Sequence, residues 1–273
     1  MSAVVRVGCS SWTSEAWWDR LYPRSLAEGE RLAWYARLYP TVEIDSTFYA
    51  MPRGFLSERW RRTTPEGFRF AAKMTRELLD RKRPIDRGSI EQFVREISPL
   101  GPKLGPILLQ FPPSFRPKEG SKFLGDLLEA LPAGPRYAVE LRDAGWYTEA
   151  TLGELRPLLE GRSVALAWSF LSFVDVPPEV TTDFLYVRFI GDHTTVPSEV
   201  HGTLRVDRSE ETRRWAERVR QRLESVREVF VFFNNHFAGF APASVNLFRE
   251  ALQMPPIDYA PPSPSGGVQS RLD

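Results

Sequence analysis

Eight short runs rich in Val, Ile, Leu and Phe recur along the chain, at residues 4–9, 41–46, 68–73, 106–110, 137–142, 163–168, 184–189 and 228–234. Each is followed by a polar turn, and most by a helical pattern. Strands alternating with helices read as βα units and a parallel sheet. The runs are apolar on both faces, as expected of strands covered outside by helices and filled inside by side chains. Eight such units in 273 residues predict an α/β fold, a single (β/α)8 barrel, which ordinarily takes ~250 residues.

The segments between the runs support this reading. Residues 25–39 place Leu26, Leu32, Trp34, Tyr35 and Leu38 on one broad helical face, and Phe123, Leu124, Leu127, Leu128 and Leu131 form a stripe on a fourth helix. Asp207 and Glu210 stand at capping-box spacing ahead of a seventh helix, whose Trp215, Val219, Leu223 and Val226 face one way. Arg213, Arg214, Arg218, Arg220 and Arg222 cover much of its other side, interleaved with Glu217 and Glu224, as on a solvated face. The sixth unit is weak, because Pro177 and Pro178 leave little room for a helix. The barrel domain is assigned to residues 1–254. Residues 255–273, rich in Pro, Ser and Gly, read as a disordered tail.

Composition removes several classes of function. The 36 basic and 35 acidic residues leave a net charge of +1, so any anion binding must be local. One cysteine, Cys9, allows neither an internal disulfide nor a cysteine-based zinc cluster. Three histidines scattered along the sequence, His193, His201 and His236, are too few for a multi-metal hydrolase, so no metal and no cofactor are expected. A magnesium ion held by carboxylates alone stays open. No apolar run is long enough to span a bilayer, and no secretory signal precedes the first strand, so the expectation is a cytoplasmic protein without a membrane partner. Phosphate loops, dinucleotide fingerprints, nucleophile elbows and zincin motifs are all absent from the sequence.

In such barrels the working end is the C-terminal edge of the strands, and polar residues concentrate there. The period of two puts Glu43, Asp45 and Thr47 on one face of the second strand, and Val42 and Ile44 on the helix-covered side. The same parity aims Glu140 and Arg142 inward from the fifth strand. Lys73, Gln110 and Arg188 end the third, fourth and seventh strands, and Asn234, Asn235 and His236 end the eighth, beside Ser10 and Ser11 of the first. Trp12, Tyr49 and Trp146 follow strand ends and offer stacking faces. Glu43, Asp45 and Glu140 are the candidate catalytic acid or base residues, and the remaining strand-end groups are candidate ligand contacts. A structural ion network among the same charges is the competing reading. Burying so many charges without using them would be costly, which favours a site.

The strand-end motifs Gly8-Cys9-Ser10-Ser11-Trp12, residues 42–49 (VEIDSTFY), residues 68–73 (FRFAAK), residues 109–113 (LQFPP), Glu140-Leu141-Arg142 with Trp146, Tyr186-Val187-Arg188-Phe189 and Phe233-Asn234-Asn235-His236 occur in order, one per strand. Together they resemble the YecE-like family, domain of unknown function 72, over roughly residues 5–252. That resemblance implies a TIM barrel without a secure activity. The barrel outline is similar to those of sugar isomerases and endonuclease IV type nucleases, which bears on fold more than on function. Two departures stand out. Ile190 replaces a histidine often found after the seventh strand, and Met74-Thr75 follows Lys73 where a Thr-His pair is common.

Two functions are therefore carried forward. One is a barrel that binds, or acts on, an anionic or sugar-containing small molecule. The alternative is a nucleic-acid-binding protein that uses the same mouth. Replacing Lys73 or Arg188 with Met should weaken binding at little cost in stability, provided no carboxylate is stranded. Oligomeric state is not legible in the sequence.

Overall fold

The computed structural model describes residues 3–259. The strands are β1 (Val4–Ser10), β2 (Thr41–Ile44), β3 (Arg69–Lys73), β4 (Leu104–Gln110), β5 (Tyr137–Glu140), β6 (Val164–Leu166), β7 (Trp168–Phe170), β8 (Phe184–Phe189) and β9 (Glu228–Phe233). They form one sheet in the order β6-β5-β4-β3-β2-β1-β9-β8-β7, and every pairing is parallel. Only Ala167 separates β6 from β7. Its amide N–H still donates to the Val139 carbonyl of β5 at 2.9 Å, and the next residue, Trp168, already pairs with Val187 of β8. β6 and β7 are thus one stave that passes its ladder from one neighbour to the other. The sheet returns to itself as an eight-stave α/β barrel, as the sequence predicts.

The helices are α1 (Arg31–Leu38), α2 (Gly54–Thr63), α3 (Arg87–Ile97), α4 (Pro117–Ala130), α5 (Glu149–Gly161), α6 (Ser209–Arg220), α7 (Asn235–Ala238) and α8 (Ala241–Ala251). The apolar stripe of α4 buries Leu124, Leu127 and Leu128, and α6 buries Trp215, Ala216 and Val219. No capping box forms at α6. Asp207 instead accepts from the Ser209 N–H at 2.9 Å, and the helix begins only at Ser209. Between β7 and β8 the chain stays extended instead of helical. Thr181 Oγ1 takes the Leu166 N–H at 3.0 Å and donates to the Val164 carbonyl at 2.7 Å, and Trp168 Nε1 reaches the Glu179 carbonyl at 2.7 Å. Those bonds strap the Pro177-Pro178 segment over the stave that a sixth helix would cover. No helix of the described residues is long and apolar enough to cross a membrane.

Two sets of side chains fill the barrel. The larger core lies between strands and helices, and the inner one comprises Ala71, Leu108, Ala138, Ala165, Ala167, Phe184, Tyr186, Phe230 and Phe232. Alanines from β3, β5 and the β6–β7 stave face aromatics from β8 and β9, so small and large residues interdigitate within a narrow tube. Gly8 is required where β1 meets β2, because a Cβ there would lie 2.1 Å from the Thr41 carbonyl oxygen. At the N-terminal end of the staves, Glu228 accepts from Arg6 at 2.5 Å and Arg136 at 2.8 Å, and the Arg136 guanidinium lies 5.2 and 5.1 Å from the rings of Phe184 and Phe230. This ionic plug closes the stability face of the barrel.

The reading of residues 255–273 as a tail divides at residue 259. Up to there the chain is fastened to α8: Asn246 exchanges two hydrogen bonds with the backbone of Ile257, at 2.9 and 2.8 Å, and Tyr259 packs edge-on against Phe240. Residues 260–273 lie outside the described residues.

Candidate binding site at the barrel mouth

Directly above the inner core, the next inward layer is polar and charged. Glu43 lies one residue before the end of β2, Lys73 ends β3, Gln110 ends β4, Glu140 ends β5, Ser169 sits in β7 and Arg188 in β8, all following the period-two parity of their strands. Arg188 is the hub. Its Nη2 donates to Glu43 Oε1 at 3.0 Å, and its Nη1 donates to Glu140 and to Gln110 Oε1 at 3.1 Å. Its Nε lies 2.9 Å from Glu43 Oε2, close enough for ion pairing but off the angle of a hydrogen bond. Glu43 also accepts from Ser10 Oγ at 2.8 Å and Tyr186 Oη at 2.9 Å, and Glu140 from Ser169 Oγ at 2.8 Å and from Arg142. Lys73 donates to Asp45 and stands 3.6 Å from Glu43. Three carboxylates face three cations, so the layer is neutral as a whole.

Burial divides this layer in two. Glu43 and Glu140 have no exposed surface and Arg188 is 1% exposed. Burial alone would raise the pKa of Glu43, but Arg188 and Lys73 more than offset it, so the carboxyl is held below its usual range. Glu140 follows the same pattern: burial opposes its charge, Arg142 and Arg188 prevail, and its pKa falls to about 2. Both are carboxylates at neutral pH with no path to water. Asp45 does reach solvent, because the chain leaves β2 at Ile44 and Asp45 turns into the 3-10 helix Ser46–Phe48. The predicted β2 extension to Ser46 is shortened by that turn, and Thr47 reaches across to β3, where its Oγ1 accepts the Lys73 N–H at 3.0 Å.

Beside Arg142 and Gln110 the mouth opens into a cavity of about 550 Å3. Its walls carry Phe48 and Phe115, and its rim carries Arg76, Arg81, Lys82 and Arg83 against Glu77 and Asp80. With Arg142, five cations oppose two carboxylates in the lining. The rim cations follow Lys73 by only a few residues in the loop after β3, so the Arg81-Lys82-Arg83 run was a visible signal. It lies off the strand ends, where the sequence-based candidates are placed. Tyr186 and Ser169 also stand outside the sequence-based candidates, although Tyr186 shares the inward parity of Arg188 on the same strand; Ser169 lies one residue beyond the run assigned to its strand.

The remaining candidates occupy other settings. Trp146 is 1% exposed, stacked on Phe115 at 5.5 Å with its Nε1 donating to the Phe115 carbonyl at 2.6 Å. Trp12 packs edge-on against Trp60 at 5.8 Å. Asn234 caps α7 by accepting the His236 N–H at 3.0 Å. Asn235 is a strut: its Oδ1 accepts from Trp17 Nε1 at 3.1 Å and the Ala241 N–H at 2.9 Å, while its Nδ2 donates to Ser14 Oγ at 3.1 Å. Ser11, one residue past the end of β1, holds φ at 94°, in the region that favours glycine and stores strain. Tyr49 projects from the rim, 63% exposed.

The three histidines, far apart in sequence, converge. The ring of His236 lies 3.7 Å from His193 and 4.5 Å from His201, centroid to centroid, and its Nδ1 is 2.7 Å from the Val196 carbonyl oxygen. Gly191, with φ at 69°, lets the loop after β8 lie against the His236 backbone, where a Cβ would meet the carbonyl oxygen at 2.0 Å. Among the described residues no three His, Cys, Asp or Glu side chains are set to hold a metal ion. Burial lowers the pKa of both His201 and His236. Neighbouring imidazoles lower it further, while the Val196 carbonyl, Glu199 and, for His236, Asp192 pull the other way. A base with a depressed folded-state pKa stabilises the fold fully above its unfolded pKa of about 6.5, and that contribution is lost as pH falls below it. The urea midpoint is therefore expected to drop between pH 7.5 and 5.5, and to drop less in His236→Gln. Equal pH dependence in the two proteins would contradict the coupling.

A family model described as "Protein of unknown function DUF72" matches residues 6–266. The chain belongs to the DUF72 family. Among curated relatives, the UPF0759 protein YunF of Bacillus subtilis is 27% identical and aligns over 94% of this chain and 96% of its own length. The UPF0759 protein YecE of Escherichia coli is 32% identical over 148 residues, 54% of this chain, and the match spans about half of that relative. Two solved structures share the fold. A DUF72 family protein of Thermotoga maritima has a TM-score of 0.77 at 28% identity, covering 92% of this chain and 99% of its own. One from Enterococcus faecalis has a TM-score of 0.77 at 23% identity, covering 95% and 99%. For this DUF72 chain the fold and family are thereby established, and neither carries a reaction.

Proposed function

We propose that this DUF72 barrel binds a small molecule carrying a phosphate or carboxylate group at its mouth. The observation that carries the reading is the floor of the cavity. Arg142 spends its Nε on Glu140, and Gln110 spends its Oε1 on Arg188, while the Arg142 Nη groups and Gln110 Nε2 take no protein acceptor among the described residues. These are fixed donors, backed by a buried carboxylate and facing an open space of ligand size. In this reading Glu43, Glu140 and Arg188 hold the donors in place. Asp45, beside Lys73, is the carboxylate that would serve as acid or base if the ligand is turned over. Buried ionised carboxylates without water access give no support to Glu43 or Glu140 in that role.

The nucleic-acid alternative differs in its response to salt. A cavity with a net surplus of three positive groups holds one or two anionic groups, giving a log–log salt slope of about −1 to −2. Calorimetric titration of pyrophosphate and of single-stranded DNA from about 50 to 200 mM salt separates the two readings. Sub-micromolar DNA binding with a slope near −5 or steeper would put the nucleic-acid reading first.

A further inference from the structure

We infer that the ligand of this site is a mononucleotide, its phosphate on the Arg142–Gln110 floor and its base against the aromatic rim formed by Phe48 and Tyr49; this rests on the anion-site reading and extends it. Phe48 lines the cavity wall, and the Lys73 ammonium stands 6.0 Å from its ring centroid. Tyr49 follows it as the cap of the 3-10 helix after β2, its N–H bonded to the Ser46 carbonyl at 3.2 Å. The two rings meet edge to face, with centroids 5.3 Å apart and planes at 85°. Arg76, itself part of the cavity lining, places its guanidinium 5.9 Å from the Tyr49 ring.

Most large apolar side chains here are packed away, yet Tyr49 keeps 63% of its surface in water beside the guanidinium of Arg76. An aromatic face next to a guanidinium suits a flat, polarisable ring, on which bases stack without regard to sequence. Glu77 and Asp80 on the same rim supply acceptors for ribose hydroxyls and exocyclic amines, which a bare phosphate would not use. A cavity of about 550 Å3 accommodates one nucleotide, and the basic residues form a ring about one opening instead of a track along the surface.

The test is a set of dissociation constants on the full chain for inorganic phosphate, ribose 5-phosphate, adenosine 5′-monophosphate and uridine 5′-monophosphate, in the native protein and in Tyr49→Ala. Stacking on one aromatic is expected to make a nucleotide bind about ten-fold tighter than ribose 5-phosphate. Tyr49→Ala should bring that ratio close to one and leave phosphate affinity unchanged. As Tyr49 is exposed, its replacement leaves the folded barrel intact, which thermal unfolding verifies. Equal affinity for ribose 5-phosphate and the nucleotides, or a ratio untouched by Tyr49→Ala, overturns the inference and leaves the anion site standing. Failure of every phosphate-bearing probe, and of a dicarboxylate such as succinate, to bind overturns both.

Discussion

Arg188→Met is expected to cost about 3–5 kcal/mol of stability, the range found when one partner of a buried ion pair is removed. Arg188 is 1% exposed and is held by Glu43 and Glu140, neither with any exposed surface. Its loss leaves two buried carboxylates facing only Ser10, Tyr186, Ser169, Lys73 and Arg142. The proviso attached to the sequence expectation, that no carboxylate be stranded, thus fails for Arg188. It holds better for Lys73, whose partner Asp45 reaches water and whose neighbour Glu43 keeps Arg188, so Lys73→Met should cost less. Linkage gives a second measure. A carboxyl whose pKa falls from 4.5 to about 2 on folding contributes stability that is complete above its unfolded pKa and disappears as pH drops through the interval. For Glu140 this amounts to about 3 kcal/mol. The native protein should lose stability steeply between pH 5 and 2, and Arg188→Met should show a shallower acid limb. Adding Glu140→Gln to Arg188→Met should restore part of the loss. Chemical denaturation across pH measures all three, and a loss below about 1 kcal/mol, the scale of an exposed pair, would mean that the layer is not the buried network described.

The barrel was legible because it rests on period-two and period-3.6 patterns, which survive tertiary packing. The same parity aimed Glu43, Glu140, Arg142 and Arg188 at one layer. Parity says which way a side chain points and nothing about how far water follows it. For that reason the closed state of Glu43, Glu140 and Arg188 could not be read from the strands. Asp45 illustrates the opposite limit: the alternation continues through Ser46, but the backbone turns after Ile44, and the carboxylate escapes to the rim. Loop residues obey no period at all. The grouping of His193, His201 and His236 depends on where the loop after β8 folds back, and the arginines after β3 become a rim only when that loop leans over Gln110 and Arg142. Likewise Trp146 and Asn235 look available in sequence, and both are used up in holding the loops.

Arg142→Met is expected to abolish most anion binding at only a modest cost in stability. Arg142 is the one cation of the ion network that also lines the cavity, with 19% of its side chain exposed. Glu140 keeps Arg188 and Ser169 when Arg142 is removed, so no buried carboxylate is left alone. Burial of Glu140 becomes somewhat less well compensated, and a modest loss of stability follows, well short of that of Arg188→Met. Binding responds differently, because the two Nη groups are donors without a protein acceptor among the described residues. Charge-assisted hydrogen bonds contribute about 1.5–3 kcal/mol each, and the loss of one or two of them should weaken pyrophosphate binding by about 100-fold. Gln110→Leu removes a neutral donor beside it and should weaken binding less, by about 10-fold or under. If the ligand sits elsewhere, both variants will bind like the native protein. If Arg142 serves the fold instead, its variant will lose stability on the scale of Arg188→Met. Measuring affinity and unfolding on the same preparations separates these outcomes, because only an anion seated on the cavity floor makes affinity fall without the fold.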